Sequence, residues 1–365
     1  MYQPPWQHND VLEKIIHECY DWTSLFLSKQ DPKRFRVTIN ISASLTEQLQ
    51  KKSPHVLQQL ARAAQKGVVE FTDTAAYHAI LPLFLTNGVY RPDVVQHQIM
   101  KDRAVNRAAF GSWNPQGFFP PELAFSSRLA RVLQQMNYSW SLTESVVYEA
   151  HHKPIPSTQI ALNEELPVLF RSDDWSNKFS GSYAGNVKGF VNDIDHGILS
   201  WFNRGYAILA YDLETIGHHH KNYNKEQLEE YVTQLEQHNL RAVHASTLTT
   251  LFPLREPIER PLQGSWSTAK NTQCENPWPR WHDPDNKHHT AYWWLIRKIL
   301  AHTPAENLDV LAPALHSCPT WWVSGDRFES DKFLLGADML RFAAEQLGVN
   351  VTEEYCAVVR SLYET

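Results

Sequence analysis

The sequence predicts an α/β fold built on a parallel sheet, open or closed into a barrel, with a helical region at its C-terminal end. The first sign is a recurring pattern from residue 35 to about 250, in which a short apolar run leads through a polar segment to an amphipathic stretch of helical length. Such βα alternation implies parallel strands joined by crossover helices. The second is a change of texture after Leu251: three spaced prolines (Pro253, Pro257, Pro261), a Trp-rich loop from Gly264 to about Pro284, then helical periodicity to the end. The third is size, since 365 residues with 42% hydrophobic content suffice for one large core and a smaller companion. We expect a barrel-type unit over residues 1–260 and a helical bundle packed on it over 261–365.

The strand candidates are Phe35–Ile41, Val68–Thr72, Gly117–Pro120, Tyr138–Leu142, Val168–Arg171, Tyr206–Tyr211 and Arg241–Ser246. Between them, helical periodicity covers Thr46–Gln65, Pro92–Ala109, Ser126–Met136 and Lys225–His238, and Val11–Leu27 opens the chain as a further helix. In the tail, His289–Ala301, Asp331–Leu347 and Thr352–Tyr363 read as bundle helices.

Composition excludes several function classes. The formal charge of -6, from 34 basic and 40 acidic residues interspersed, provides no stripe able to neutralise a phosphate backbone, so no nucleic-acid partner is expected. No apolar run reaches the length of a membrane span, and the N-terminal residues lack a basic leader or apolar segment, so neither membrane nor export is expected. Cys19, Cys274, Cys318 and Cys356 form no CxxC pair, which fits a reducing cytoplasm. The 13 Trp, 14 Tyr and 16 Phe, many beside Asp, Glu, His and Asn, suit sugar rings with flat C–H faces and hydroxyl rims. Large cores also use aromatics.

Two constellations carry chemistry. In Gly117–Phe125 an apolar strand stops at Pro120-Pro121 and presents Glu122, at the strand end where barrel active sites collect. Taken alone, Glu122 reads equally as a carboxylate favoured by the start of the following helix. In Tyr206–His220 a second apolar strand runs into Asp212 and Glu214, which share a parity and would face one side if strand geometry persists. Carboxylates facing a common cavity raise each other's pKa, leaving one able to donate a proton. With Glu122 they would supply the acid and nucleophile of glycoside hydrolysis.

These segments resemble glycoside hydrolase family 57 at five places spread along nearly the whole chain. Tyr2-Gln3-Pro4-Pro5 is similar to the end of the family's first motif, which marks Gln3 as a substrate contact, and Gly67-Val68-Val69-Glu70 is similar to the second, followed by Tyr77-His78-Ala79 as in many members. Phe119-Pro120-Pro121-Glu122 resembles the third motif, whose Glu is the nucleophile, and Tyr211–His218 the fourth, whose Asp is the acid/base; that motif also carries Glu214 and His218. Gly264-Ser265-Trp266-Ser267 falls where the fifth motif places an aromatic residue near substrate. The resemblance implies an incomplete (β/α)7 barrel with a C-terminal helical region, a retaining mechanism, no cofactor, and α-glucan or oligosaccharide substrates to be hydrolysed or transferred. Members usually begin with a strand carrying a His-x-His/Tyr-Gln-Pro pattern, whereas this sequence starts within it; without that strand, backbone groups of its neighbour are expected to stand unpaired.

Glu70 and His78 read as sugar contacts or as a buried ion pair and a packed core histidine, and His244, inside the last strand candidate, divides in the same way. Arg171, Asp173, Asp174 and Trp175 border a sugar subsite or form a solvated loop with local ion pairs. Trp321-Trp322 and Trp293-Trp294 read as filling between barrel and bundle. The run His218-His219-His220 invites a metal-dependent hydrolase or deacetylase as the alternative, but three adjacent loop positions rarely converge on one ion, and no metal is expected. A non-catalytic glucan-binding protein is the third reading, and self-association into a homo-oligomer stays open.

Overall fold

The computed structural model describes residues 1–86, 88–149, 157–197, 205–258, 261–268 and 276–363. Cys274 and part of the Trp-rich loop fall outside these residues, as do positions 259–260 at the expected boundary.

Seven strands organise the site: β1 (Val37–Asn40), β2 (Val69–Thr72), β3 (Gly117–Phe118), β4 (Trp140–Glu144), β5 (Ile160–Asn163), β6 (Leu166–Arg171) and β7 (Leu254–Pro257). β1 pairs in parallel with β2, Val37 opposite Val69, and a bridge from Asp73 to Phe118 carries the wall on to β3. β3, β4 and β6 follow in parallel, and the sheet is completed in the order β7-β5-β6-β4-β3. β5 runs antiparallel to β6. The central sheet is therefore mixed, a correction to the all-parallel expectation: Glu164-Glu165 make a tight hairpin, with Glu164 at φ 56, where a crossover was expected. Gly117 is required in β3, because a Cβ there would collide with the Trp140 indole lying across it.

Two strand candidates do not form strands. Residues 205–212 have no strand assignment and are held to the wall by Ser172 N–H donating to Ile208 O (2.8 Å) and Arg171 Nε donating to Ala210 O (2.7 Å). Arg241–Ser246 is extended only as far as His244, after which Ala245–Leu251 is helical. At the N-terminus the Met1 amine donates to Asn40 O (2.7 Å) and Ser42 N–H donates to Met1 O (3.3 Å). Met1 thus covers the end of β1, while Val37–Asn40 line a cavity.

The helices follow the apolar periodicity closely. Thr352–Tyr363 forms as expected, Lys225–Gln237 is capped by the Asn224 side chain, and Ser127–Gln135 by that of Ser126. The expected Thr46–Gln65 helix is two, Ala43–Lys52 and Pro54–Gln65, because Pro54 cannot donate and its ring opposes continuation. Val11–Leu27 likewise contains a π-helical turn at Ile16–Tyr20 between Asn9–Ile15 and Asp21–Lys29. One hydrophobic cluster joins Leu81, Phe84, Phe118 and Phe125 to Trp293, Ile296, Phe333 and Leu340, so the tail helices share a core with the sheet. Among the described residues no helix is long and apolar enough to cross a membrane.

Candidate active site

Both chemical constellations open onto one cavity of about 1460 Å³, lined by β1, the 205–216 segment and side chains from the tail. That exceeds the 300–1,000 Å³ typical of small-molecule pockets and has room for several sugar rings.

Glu122 owes its position to the two prolines that end β3. Pro120 and Pro121 withhold N–H groups from the ladder, and the chain folds into a single 3-10 turn over Pro121–Leu123, closed by Leu123 N–H donating to Pro120 O (2.9 Å). Glu122 and Leu123 both adopt left-handed backbone, φ 57 and φ 53. Each such residue costs about 1–3 kcal/mol, and the turn persists because Thr143 Oγ1 donates to Leu123 O (2.9 Å) from β4. The Glu122 carboxyl accepts a hydrogen bond from Trp266 Nε1 (2.5 Å). Burial raises its pKa to about 7; the Trp266 N–H opposes this and the charge of Asp212 adds to it.

His78 stands over the same carboxyl, its Nδ1 3.7 Å from Glu122 Oε1 and 2.9 Å from Ser317 Oγ. Its ring stacks on that of Tyr2 with centroids 4.0 Å apart. Burial lowers its pKa to about 3, helped by the Met1 amine and His316, so the contact with Glu122 is not an ion pair at neutral pH.

Asp212 ends the 205–212 segment. Arg171 anchors that segment from β6 while pairing with Glu144 (2.5 Å) and donating to Asn177 Oδ1 (2.6 Å). Partial desolvation by the cavity walls pushes the Asp212 pKa up although its side chain stays exposed to the cavity, Glu214 pushes it further, and the Met1 amine, His219 and Arg171 pull it down. A short 3-10 turn, Leu213–Thr215, then ends the extended chain. The strand geometry that would set Asp212 and Glu214 side by side is lost, and Glu214 is buried, accepting hydrogen bonds from Tyr20 Oη and Gln3 Nε2.

Comparison with known proteins now decides the lineage: the model of glycosyl hydrolase family 57 matches residues 6–259. The chain belongs to glycosyl hydrolase family 57. Among solved structures it is similar to a family-57-type branching enzyme from Pyrococcus horikoshii, at 15% identity and a TM-score of 0.70 over 99% of this chain and 92% of that one. It is also similar to an α-amylase from Thermotoga maritima (14%, 0.66, 98% and 97%) and to a 4-α-glucanotransferase from Thermococcus litoralis (13%, 0.71, 94% and 58%). At these identities the likeness is one of fold. No curated protein matches the chain.

In this family-57 chain Gln3, His78, Glu122, Asp212, Glu214, His218 and Trp266 all line the cavity. His218 is also tied down, its Nδ1 2.5 Å from Glu18 Oε2, and Lys221 pairs with the same carboxyl. Glu70 and His244 do not line it. Glu70 accepts from Thr38 Oγ1 (2.9 Å) and Ser246 N (3.2 Å), and His244 Nε2 lies 3.2 Å from Val68 O, so both fasten the Ala245–Leu251 helix to the sheet. Among the described residues no group of three or more His, Cys, Asp or Glu is placed to hold a metal ion. Sequence reasoning missed Tyr2, Tyr20 and Ser317, and it read Trp321 as packing, whereas Trp321 lines the cavity. The Tyr-Gln-Pro-Pro segment carries a signal for Tyr2, but nothing local distinguishes Tyr20 or Ser317 from core residues.

Proposed function

We propose that this family-57 chain hydrolyses or transfers α-linked glucans by double displacement, with Glu122 as nucleophile and Asp212 as general acid/base. The observation that carries this reading is that two carboxyls 90 positions apart in the sequence face one sugar-sized cavity, each with a raised pKa. Two carboxyls sharing a cavity pass, as pH rises, through a form that holds one proton between them. With that proton on Asp212, the Glu122 carboxylate attacks the anomeric carbon while Asp212 protonates the departing oxygen. Asp212, now a carboxylate, takes a proton from water or an acceptor hydroxyl, which attacks the glycosyl ester and frees Glu122. The amylase, branching and glucanotransferase names of the similar structures support an α-glucan substrate. Trp266 and Trp321, aromatic faces in a cavity rimmed by polar groups, suit sugar rings. We place the enzyme in a reducing cytoplasm, in keeping with the free thiols of Cys19, Cys318 and Cys356. We keep residues 1–260 as the catalytic unit and 261–365 as its helical companion.

The test is product analysis of maltoheptaose, with and without an acceptor sugar, following the anomeric configuration by NMR. Retained configuration and loss of turnover in Glu122→Gln and Asp212→Asn are expected; inverted products or unchanged turnover overturn the assignment.

A further inference from the structure

The double displacement needs its single proton on Asp212, and Glu122 competes for it. Behind Asp212 lies a device that bears on this competition. The π-helical turn Ile16–Tyr20 is one residue wider than an α-turn, and its carbonyls are taken up by hydroxyls one turn on: Thr23 Oγ1 donates to Cys19 O and Ser24 Oγ to Tyr20 O, both at 2.7 Å. Cys19 and Tyr20 both reach the turn that follows Asp212, Cys19 Sγ donating to Leu213 O (3.2 Å) and Tyr20 Oη to Glu214 Oε1. Gln3 Nε2 donates to the same oxygen (3.3 Å), and Gln7 Nε2 fixes the Gln3 amide by donating to its Oε1 (2.6 Å). Tyr20 is fully buried, and Gln3 and Glu214 are 7% and 6% exposed. Two donors on one oxygen suit a carboxylate, and among the described residues no Lys, Arg or His forms an ion pair with Glu214 to cancel its charge.

We propose that Tyr20 and Gln3, acting through Glu214, place the dyad's proton on Asp212 rather than on Glu122, and are positioning residues of the reaction. This inference rests on the double-displacement reading above. Asp212 precedes and Glu214 lies within one 3-10 turn, and both line the cavity; the other groups whose charge reaches Asp212 are the Met1 amine, His219, Arg171 and, across the cavity, Glu122. Glu214 is faced by Tyr20 and Cys19 from the π turn, by Gln3, and by Asp212. On the other side of the dyad the Trp266 N–H favours a carboxylate on Glu122, so the two devices act in the same sense.

The experiment compares Tyr20→Phe, Glu214→Gln and the double variant by two readouts. One is the titration of the Asp212 carboxyl by 13C NMR in the free protein; the other is the pH dependence of kcat/KM on maltoheptaose. Glu214→Gln should lower the Asp212 midpoint and carry the alkaline limb with it. Tyr20→Phe should move both in the same direction by less, and the double variant should match Glu214→Gln. An unmoved Asp212 midpoint in Glu214→Gln, or a Tyr20→Phe loss equal at every pH, overturns the proposal. A lowered midpoint in a protein that does not act on glucans sinks the glucan reading and leaves the electrostatic link standing.

Discussion

His78 and Glu122 meet across the cavity with Nδ1 and Oε1 3.7 Å apart, and both hold left-handed backbone, φ 61 and φ 57. Neither is glycine, so the fold stores strain at both positions to bring an imidazole over a carboxyl. Ser317 holds the His78 turn from the tail, donating its N–H to His78 O (3.2 Å) and placing its hydroxyl on Nδ1, while β4 holds the Glu122 turn through Thr143.

The strain at His78 is measurable. Asn enters the left-handed region readily and a β-branched residue does not. His78→Val should therefore be less stable than His78→Asn by about 1–2 kcal/mol in urea unfolding. Equal stabilities would show that this turn relaxes freely.

Trp266→Phe keeps an aromatic face and removes the N–H from Glu122. That N–H favours the carboxylate, so its loss raises the Glu122 pKa further above about 7. As the proposed nucleophile Glu122 must be ionised, so the acid limb of kcat/KM should move to higher pH, with the rate at pH 6 falling more than the rate at pH 8. A uniform loss across pH would assign Trp266 to sugar stacking alone.

Trp321→Ala tests the other aromatic lining. Its ring lies in the cavity although its sequence position is in the helical tail. Losing a stacking face of this kind costs about 0.5–1.5 kcal/mol, which should appear as a several-fold rise in KM for long maltooligosaccharides with kcat little changed. An unaltered KM would return Trp321 to a packing role.

What the sequence made legible was what local chemistry controls. The helix Thr352–Tyr363 forms where its regularly repeating apolar face predicts it, and the strand before Glu122 ends where two prolines must end it, although the 3-10 turn that follows carried no signal. Arg241–Ser246 misled because its alternating residues suit a strand, while the helix that begins at Ala245 is fixed from afar, by Glu70 accepting the Ser246 N–H (3.2 Å) and Thr38 Oγ1 accepting the Ala245 N–H (2.8 Å). Glu214 illustrates the same limit within the site. Its parity with Asp212 predicted two side chains on one strand face, but a 3-10 turn follows Asp212, and Glu214 reaches the cavity wall from that turn with its carboxyl held by Tyr20 and Gln3, from the opening helix and the N-terminus.

The pH dependence of stability should carry the signature of Glu122. Its folded pKa, about 7, lies above the ordinary glutamate value of 4.5, so folding favours the protonated form. The contribution is complete below about pH 4.5 and is lost as pH rises through about 7. Because a quarter of the side chain remains accessible in the cavity, we expect about 1–2 kcal/mol rather than the full linkage value. Glu122→Gln cannot ionise and should be more stable than the parent at pH 8 by this amount, with the difference vanishing at pH 4; a constant difference across that range would contradict the assigned shift.

Gly217 offers a test of how Asp212, the proposed acid/base, is held. It has φ 88, and a Cβ at this position would run into the backbone oxygen of Glu18 and crowd the Trp22 indole. Glu18 cannot yield easily, because its carboxylate is held by His218 and Lys221, an arrangement that also lowers its pKa to about 2. Gly217→Ala must therefore displace the chain between Leu213 and His218, and with it Asp212. A loss of about 2–3 kcal/mol in stability is expected from the combined strain and collision. The fall in kcat should exceed that of a surface variant of equal stability, since a misplacement of about 1 Å in a catalytic group costs on the order of 100-fold in rate. A Gly217→Ala protein that loses stability but keeps its kcat would show that Asp212 is positioned from the Arg171 side alone.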